Sequence, residues 1–279
     1  LIVDEGKTMT GEAFVMNGGE AGINGTLAFA DMTVNGGKLK GQGTIGSSAS
    51  KVTVNTDGTI EDIKHLEANT LLNEGTISAQ NVTVTTGTNA GDLTIEGGLL
   101  KGDLTNTGTM TLDGATLASG TLQNAGTLTG GQTVTIAGGR LHQSSDLAAQ
   151  FNNLTITSGG LTVDSSKAVE GTGTLTVNGD GDLIDNDGTI HFADATITKG
   201  TVTGNGTFGS ESSTITVDTA GALHQGTILS DVLLNKGEVI AQDALKVVGS
   251  LTNSGTLTTN GTADIAGLVN AGTANFNQG

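Results

Sequence analysis

Short aliphatic runs interrupted by threonine recur along the chain: Val52-Thr53-Val54, Val82-Thr83-Val84, Leu93-Thr94-Ile95, Val134-Thr135-Ile136, Leu154-Thr155-Ile156, Leu161-Thr162-Val163, Leu175-Thr176-Val177 and Ile215-Thr216-Val217. Alternation with period two puts the aliphatics on one face and threonine on the other, and β-branched side chains favour extended backbone. The pattern therefore predicts strands with an aliphatic inner face. Between them stand Asn17-Gly18-Gly19, Asn35-Gly36-Gly37, Gly97-Gly98, Gly138-Gly139 and similar clusters, which supply positive φ for sharp bends.

The strands come at a fixed step. Gly-Thr followed by an apolar residue begins at Gly25, Gly43, Gly58, Gly75, Gly108, Gly120, Gly126, Gly173, Gly188, Gly200, Gly206, Gly226 and Gly255. A second marker, Asn-x-Gly, runs in the same phase at Asn73, Asn89, Asn106 and Asn124, with steps of 16, 17 and 18, and again at Asn235, Asn253 and Asn270. A hairpin meander has no reason to keep such a step, whereas a solenoid must set each corner above the one beneath. The expectation is an all-β chain, residues 1–279 forming a single right-handed parallel β-helix (β-solenoid). At ~17 residues per coil this gives about 16 coils, and at ~4.8 Å per coil a rod roughly 80 Å long. A left-handed hexapeptide comb fits Leu104, Met110, Leu122, Leu128 and Val134 but breaks at Thr116 and Arg140, which favours the right-handed form. Asn73, Asn89, Asn106 and Asn124 align for an amide ladder at one corner. Leu1-Ile2-Val3 and Ala274-Asn275-Phe276 carry no polar cap, so unpaired strands are expected at both ends.

Composition narrows the function. Glycine reaches 46 residues, Pro, Cys, Trp and Tyr are absent, and only six Phe supplement the aliphatics, which suits thin similar layers better than one bulky core. A formal charge of −17, from 28 acidic against 11 basic residues, repels phosphate backbones and anionic lipid, so neither nucleic acid nor membrane insertion is expected. Without cysteine there are no disulfides or thiolate metal sites, as suits a chain that crosses an envelope unfolded. Starting at Leu1 with no basic stretch before a hydrophobic one, it reads as an excised or processed segment of a longer protein.

Tandem units such as Asn106-Thr107-Gly108-Thr109-Met110-Thr111 and Asn253-Ser254-Gly255-Thr256-Leu257-Thr258, with Gly-Gly corners and an acidic, cysteine-free composition, resemble the β-helical passenger domains of bacterial type V secreted adhesins, the autotransporter and filamentous-haemagglutinin-like exoproteins. The resemblance covers nearly the whole chain. It implies export across the outer membrane, display at the bacterial cell surface, and adhesion to a host surface glycan or protein or to a second copy of the chain, as in biofilms. A purely structural spacer with its binding tip elsewhere is the first alternative.

The second alternative is a polysaccharide-degrading β-helix of the pectin-lyase kind. Asn55-Thr56-Asp57-Gly58 matches a polygalacturonase tetrapeptide, but Asp-Asp, Gly-His-Gly and Arg-x-Lys are missing, and aromatic sugar platforms are scarce. No catalytic residue and no cofactor is therefore assigned. The histidines His65, His142, His191 and His224 lie too far apart in sequence to converge and are expected in solvent, His142 and His224 on a similar face. Asp180, Asp182, Asp185 and Asp187 form the densest acidic cluster; they match neither an EF-hand nor a Gly-Gly-x-Gly-x-Asp nonapeptide, and the choice is between turn-forming aspartates and a weak calcium site. Asn24, Asn81, Asn153, Asn205 and Asn260 head Asn-x-Ser/Thr sequons. Residues 61–72 and 139–153 break the cadence with helix-like spacing, Ser144-Ser145-Asp146-Leu147 reading as a capped helical turn.

Overall fold

The computed structural model describes residues 1–277. It is all-β, a parallel β-solenoid of about 15 turns of about 18 residues. The chain divides into two compact units, Leu1–Val134 and Thr135–Gly279.

In the first unit the apolar residue of each Gly-Thr element stacks on its predecessor. Ile60 pairs with Ile77, Ile77 with Leu93, Leu93 with Met110 and Met110 with Leu128, all of them buried. One residue earlier, Thr59, Thr76, Asp92, Thr109 and Thr127 form the matching column on the solvent side. The second unit repeats the scheme: Val169, Ile190, Phe208, Ile228 and Leu245 make one buried column. The period-two reading of strand faces holds.

The recurring glycine of the marker has a steric cause. A Cβ built on Gly108 would stand 2.3 Å from the carbonyl oxygen of Gly91, and one on Gly255 would stand 2.1 Å from that of Gly237. At this corner adjacent coils leave no room for a side chain.

The asparagine of the second marker forms the expected ladder. Asn73 Nδ2 donates to Asn89 Oδ1 at 2.7 Å, Asn89 to Asn106 at 2.7 Å and Asn106 to Asn124 at 2.8 Å, all four side chains being fully buried. The second hydrogen of each amide donates to a backbone carbonyl one coil further: Asp92, Thr109 and Thr127 respectively, each at 2.9 Å. In the second unit Asn235, Asn253 and Asn270 repeat the ladder with bonds of 2.7 Å. Each amide thus adds two bonds to the backbone bonds that already join the corners, such as Ala90 N and Gly91 N to Asn73 O.

Each ladder begins on a valine. Glu74 N and Gly75 N both donate to Val54 O, as Ala90 N and Gly91 N donate to Asn73 O, so Val54 holds the ladder position below Asn73. Val217 stands in the same way below Asn235, and Val163 pairs with Asn186. A valine has nothing to donate, and the buried Oδ1 atoms of Asn73, Asn186 and Asn235 have no hydrogen-bond partner.

Coil length varies more than the markers imply. Thr76 pairs with Asp92 across a short coil, but Leu161 pairs with Ile184 across one nearly half as long again. Extra residues are taken up at bulges in the corners. The helical expectations fail for the same reason. Residues 61–72 lie in the strand Thr44–Asn73, where Asp62 turns the chain with φ +58 between Ile60 and Ile63, and the next interval of three, Ile63 to Leu66, stands over Ala79 and Val82 at the same spacing. Residues 144–148 form a turn closed by side chains: Ser145 Oγ accepts from Leu147 N at 3.1 Å and Gln143 Nε2 donates to Leu147 O at 2.7 Å, after which the strand Ala149–Val163 begins. Among the described residues the terminal runs pair along one edge, Ile2 and Val3 with Gly22 and Ile23, and Ala274, Asn275 and Phe276 with Leu257, Thr258 and Thr259, while Ile2 and Phe276 are exposed.

Candidate functional site

A groove of about 530 Å³ lies on the second unit. Gly200, Gly221, Gly237 and Gly255, one from each of four successive coils, line it together with Thr201, Ala220, Ala222 and Thr256, while Asp180, Lys199, Lys236 and Glu238 supply its charges. Its position follows from coil length. Lys199 pairs with Ala220 across a long coil, whereas Ala222 pairs with Glu238 across a short one. The groove lies where the longer coil gives way to the shorter, and the residues that line it there, Gly200, Ala220, Gly221 and Ala222, are small.

The charges of the groove are paired across coils. Lys199 Nζ lies 2.7 Å from Asp180 Oδ1, Lys236 Nζ 2.9 Å from Asp218 Oδ1, and His224 Nε2 3.1 Å from Glu238 Oε2. A groove of this size is within the ~300–1,000 Å³ of ligand sites. Its lining lacks aromatic rings and offers hydroxyls, ammonium groups and carboxylates. Such a lining can hydrogen-bond a polar, hydroxyl-rich ligand.

The four sequence-marked aspartates do not converge. Asp180 takes the Lys199 ion pair, Asp187 Oδ1 accepts from Asn205 N at 3.0 Å, and Asp182 and Asp185 are exposed along the strand Ala168–Asn186. Among the described residues no three His, Asp or Glu side chains are gathered as a metal would require. Asp57 is exposed and pairs in register with Gly36, and its neighbour Asn55 donates to Asn35 Oδ1 at 2.5 Å.

The histidines are more engaged than their spacing indicates. His142 Nε2 lies 2.8 Å from Asp164 Oδ1, so His142 and His224 each face a carboxylate of the following coil. His191 Nε2 lies 3.0 Å from Ser210 Oγ, with Glu170 beside His191 in register and a cavity of about 210 Å³ below, lined by Phe151, Glu170 and His191 among others. His65 lies beside an amide, Asn81, in the register. The two carboxylate contacts join residues 14 and 22 positions apart, a range that a fixed step of about 17 conceals.

No family model, curated protein or solved structure matches the chain.

Elsewhere, hydrogen bonds from lysines hold the carboxyls of Glu20 (from Lys40) and Asp146 (from Lys167) below the usual carboxylate range, and Glu61 and Glu211 hold Lys38 and Lys246 above the usual lysine range. All four groups are exposed to solvent, where such pairs contribute little. Of the sequon asparagines, Asn24, Asn205 and Asn260 are exposed, whereas Asn81 and Asn153 are half-buried and accept the backbone N–H of Leu99 and Thr174 through Oδ1. Among the described residues no helix is long and apolar enough to cross a membrane.

Proposed function

We propose that the chain is a non-enzymatic binding segment of a bacterial surface adhesin or self-association protein, acting through the outer faces of its coils. The observation that carries this reading is the solvent-side column: Thr59, Thr76, Asp92, Thr109 and Thr127 present one hydroxyl or carboxylate per coil at the spacing of paired strands. A column of small polar groups binds weakly at each step and gains affinity by repetition, which suits an extended glycan, a host protein or a second copy of the column. The groove bounded by Lys199, Lys236 and Glu238 adds a concave place large enough to seat a sugar unit or a peptide side chain. Export and surface display rest on the resemblance to type V passengers.

The test is a glycan-array and host-protein binding screen together with sedimentation velocity at rising concentration. Saturable binding, or reversible self-association, that weakens when Thr76, Thr109 and Thr127 are replaced by Ala supports the reading. Release of new reducing ends from acidic polysaccharides, abolished by Asp57→Ala, would replace it with the hydrolytic one.

A further inference from the structure

We infer that the chain carries one module twice, residues 3–108 and residues 163–272. The likeness lies far beyond the step of a coil. With Gly25 laid over Gly188, residues 25–58 and residues 188–221 align without a gap, and 17 of the 34 pairs are identical. Slid by a single coil onto residues 43–76, residues 25–58 match at only five positions, so the similarity is not the generic likeness of one coil to the next.

The structural particulars agree. Gly37, Gly41 and Gly46 have φ of +83, +134 and +81, and Gly200, Gly204 and Gly209 have +91, +132 and +83. Phe29 lies over Gly11 so closely that a Cβ there would meet its ring at 2.5 Å, and Phe192 lies over Gly171 at 2.0 Å. Ser50 Oγ donates to Phe29 O at 2.6 Å, and Ser213 Oγ donates to Phe192 O at 2.6 Å. The turns that open the two modules match as well, Lys7 N donating to Asp4 O and Lys167 N to Asp164 O, both at 3.0 Å. So do the starts of the amide ladders: Glu74 N and Gly75 N reach Val54 O at 2.7 and 3.2 Å, and Lys236 N and Gly237 N reach Val217 O at 2.7 and 3.2 Å.

What the copies share is scaffold: corner glycines, the packed phenylalanine, the serine turn, the valine beneath the ladder. What differs is chemistry at the solvent face. Ala28 corresponds to His191, Gly36 to Lys199 and Asp57 to Ala220. The His191–Ser210 contact and the lysine wall of the groove are thus features of the second copy set on a frame that the first copy also has.

The test exchanges residues 25–58 with residues 188–221 in the full-length chain, which leaves length, composition and net charge unchanged. A second variant exchanges residues 25–58 with residues 196–229, equally long but half a coil out of phase. The in-register exchange is expected to keep the far-ultraviolet circular dichroism of the parent and to unfold cooperatively, with a midpoint lowered by no more than about 10 °C. The out-of-register exchange is expected to lose cooperative unfolding. If both variants lose it, or both keep it, the duplicated-module inference is overturned.

Discussion

Removing Asn89 from the amide ladder is expected to cost more than removing Asn73, although both side chains are fully buried and both make the same pair of donor bonds. In Asn89→Ala the acceptors Asn106 Oδ1 and Thr109 O lose their donor, and Asn73 Nδ2 loses one of its two partners. At about 1–3 kcal/mol for each of these three buried groups left without a partner, the loss is about 3–9 kcal/mol. In Asn73→Ala two acceptors again lose a donor, but the substitution also removes Asn73 Oδ1, which is buried and unpartnered in the parent. That relief offsets about 1–3 kcal/mol and leaves a net cost of about 1–3 kcal/mol. Urea unfolding followed by far-ultraviolet circular dichroism measures both; with no Trp or Tyr in the chain, intrinsic fluorescence is silent. Coils interact mainly with neighbours, so the slopes of the transitions must match before midpoints are compared. Equal losses, or a larger loss for Asn73→Ala, would refute the argument that the ladder's first oxygen is stranded over Val54.

The same logic predicts that Val54→Thr is close to neutral, because the new hydroxyl donates to Asn73 Oδ1, whereas Val52→Thr, buried in the same strand, costs about 1–3 kcal/mol; thermal midpoints of the two variants decide it. Gly108→Ala places a methyl 2.3 Å from Gly91 O and is expected to cost about 3 kcal/mol, while Gly18→Ala, with nothing within 4 Å, stays within about 0.5 kcal/mol, both read from urea midpoints. Glu20 and Asp146 have folded-state values held below their unfolded ones by Lys40 and Lys167, so their contribution is present above the unfolded carboxylate range and is lost as pH falls through the depressed values. Asp146→Asn should therefore flatten the acid limb of the stability curve slightly at low salt and leave it unchanged at about 1 M salt, measured by midpoint against pH.

Much of the architecture was legible because the constraint that shapes it acts within one coil. Ile60, Ile77, Leu93 and Met110 must point inward, and Gly91 and Gly108 must lack a side chain, so apolar period, glycine and step are written locally. The amide ladder was legible for the same reason, since Asn73 and Asn89 are spaced by the coil they bridge. Features that depend on the difference between two coils were not. The groove arises where the long span from Lys199 to Ala220 gives way to the short one from Ala222 to Glu238, and nothing in either segment alone announces that. The contacts of His142 and His224 with their carboxylates join positions unevenly spaced along the chain and fall outside a uniform step. Helical spacing at residues 61–72 misled because the turn at Asp62 between Ile60 and Ile63, followed by the Ile63–Leu66 interval that stands over Ala79 and Val82, sets buried residues three apart without a helix. The doubled module shows only when Gly25 is laid over Gly188, far beyond the repeat of a coil.

That doubling bears on how such a chain changes over generations. Joining the chain across a matched pair such as Gly43 and Gly206 would set each bend beside a partner of the same kind. The number of coils could then change without any new packing having to be found.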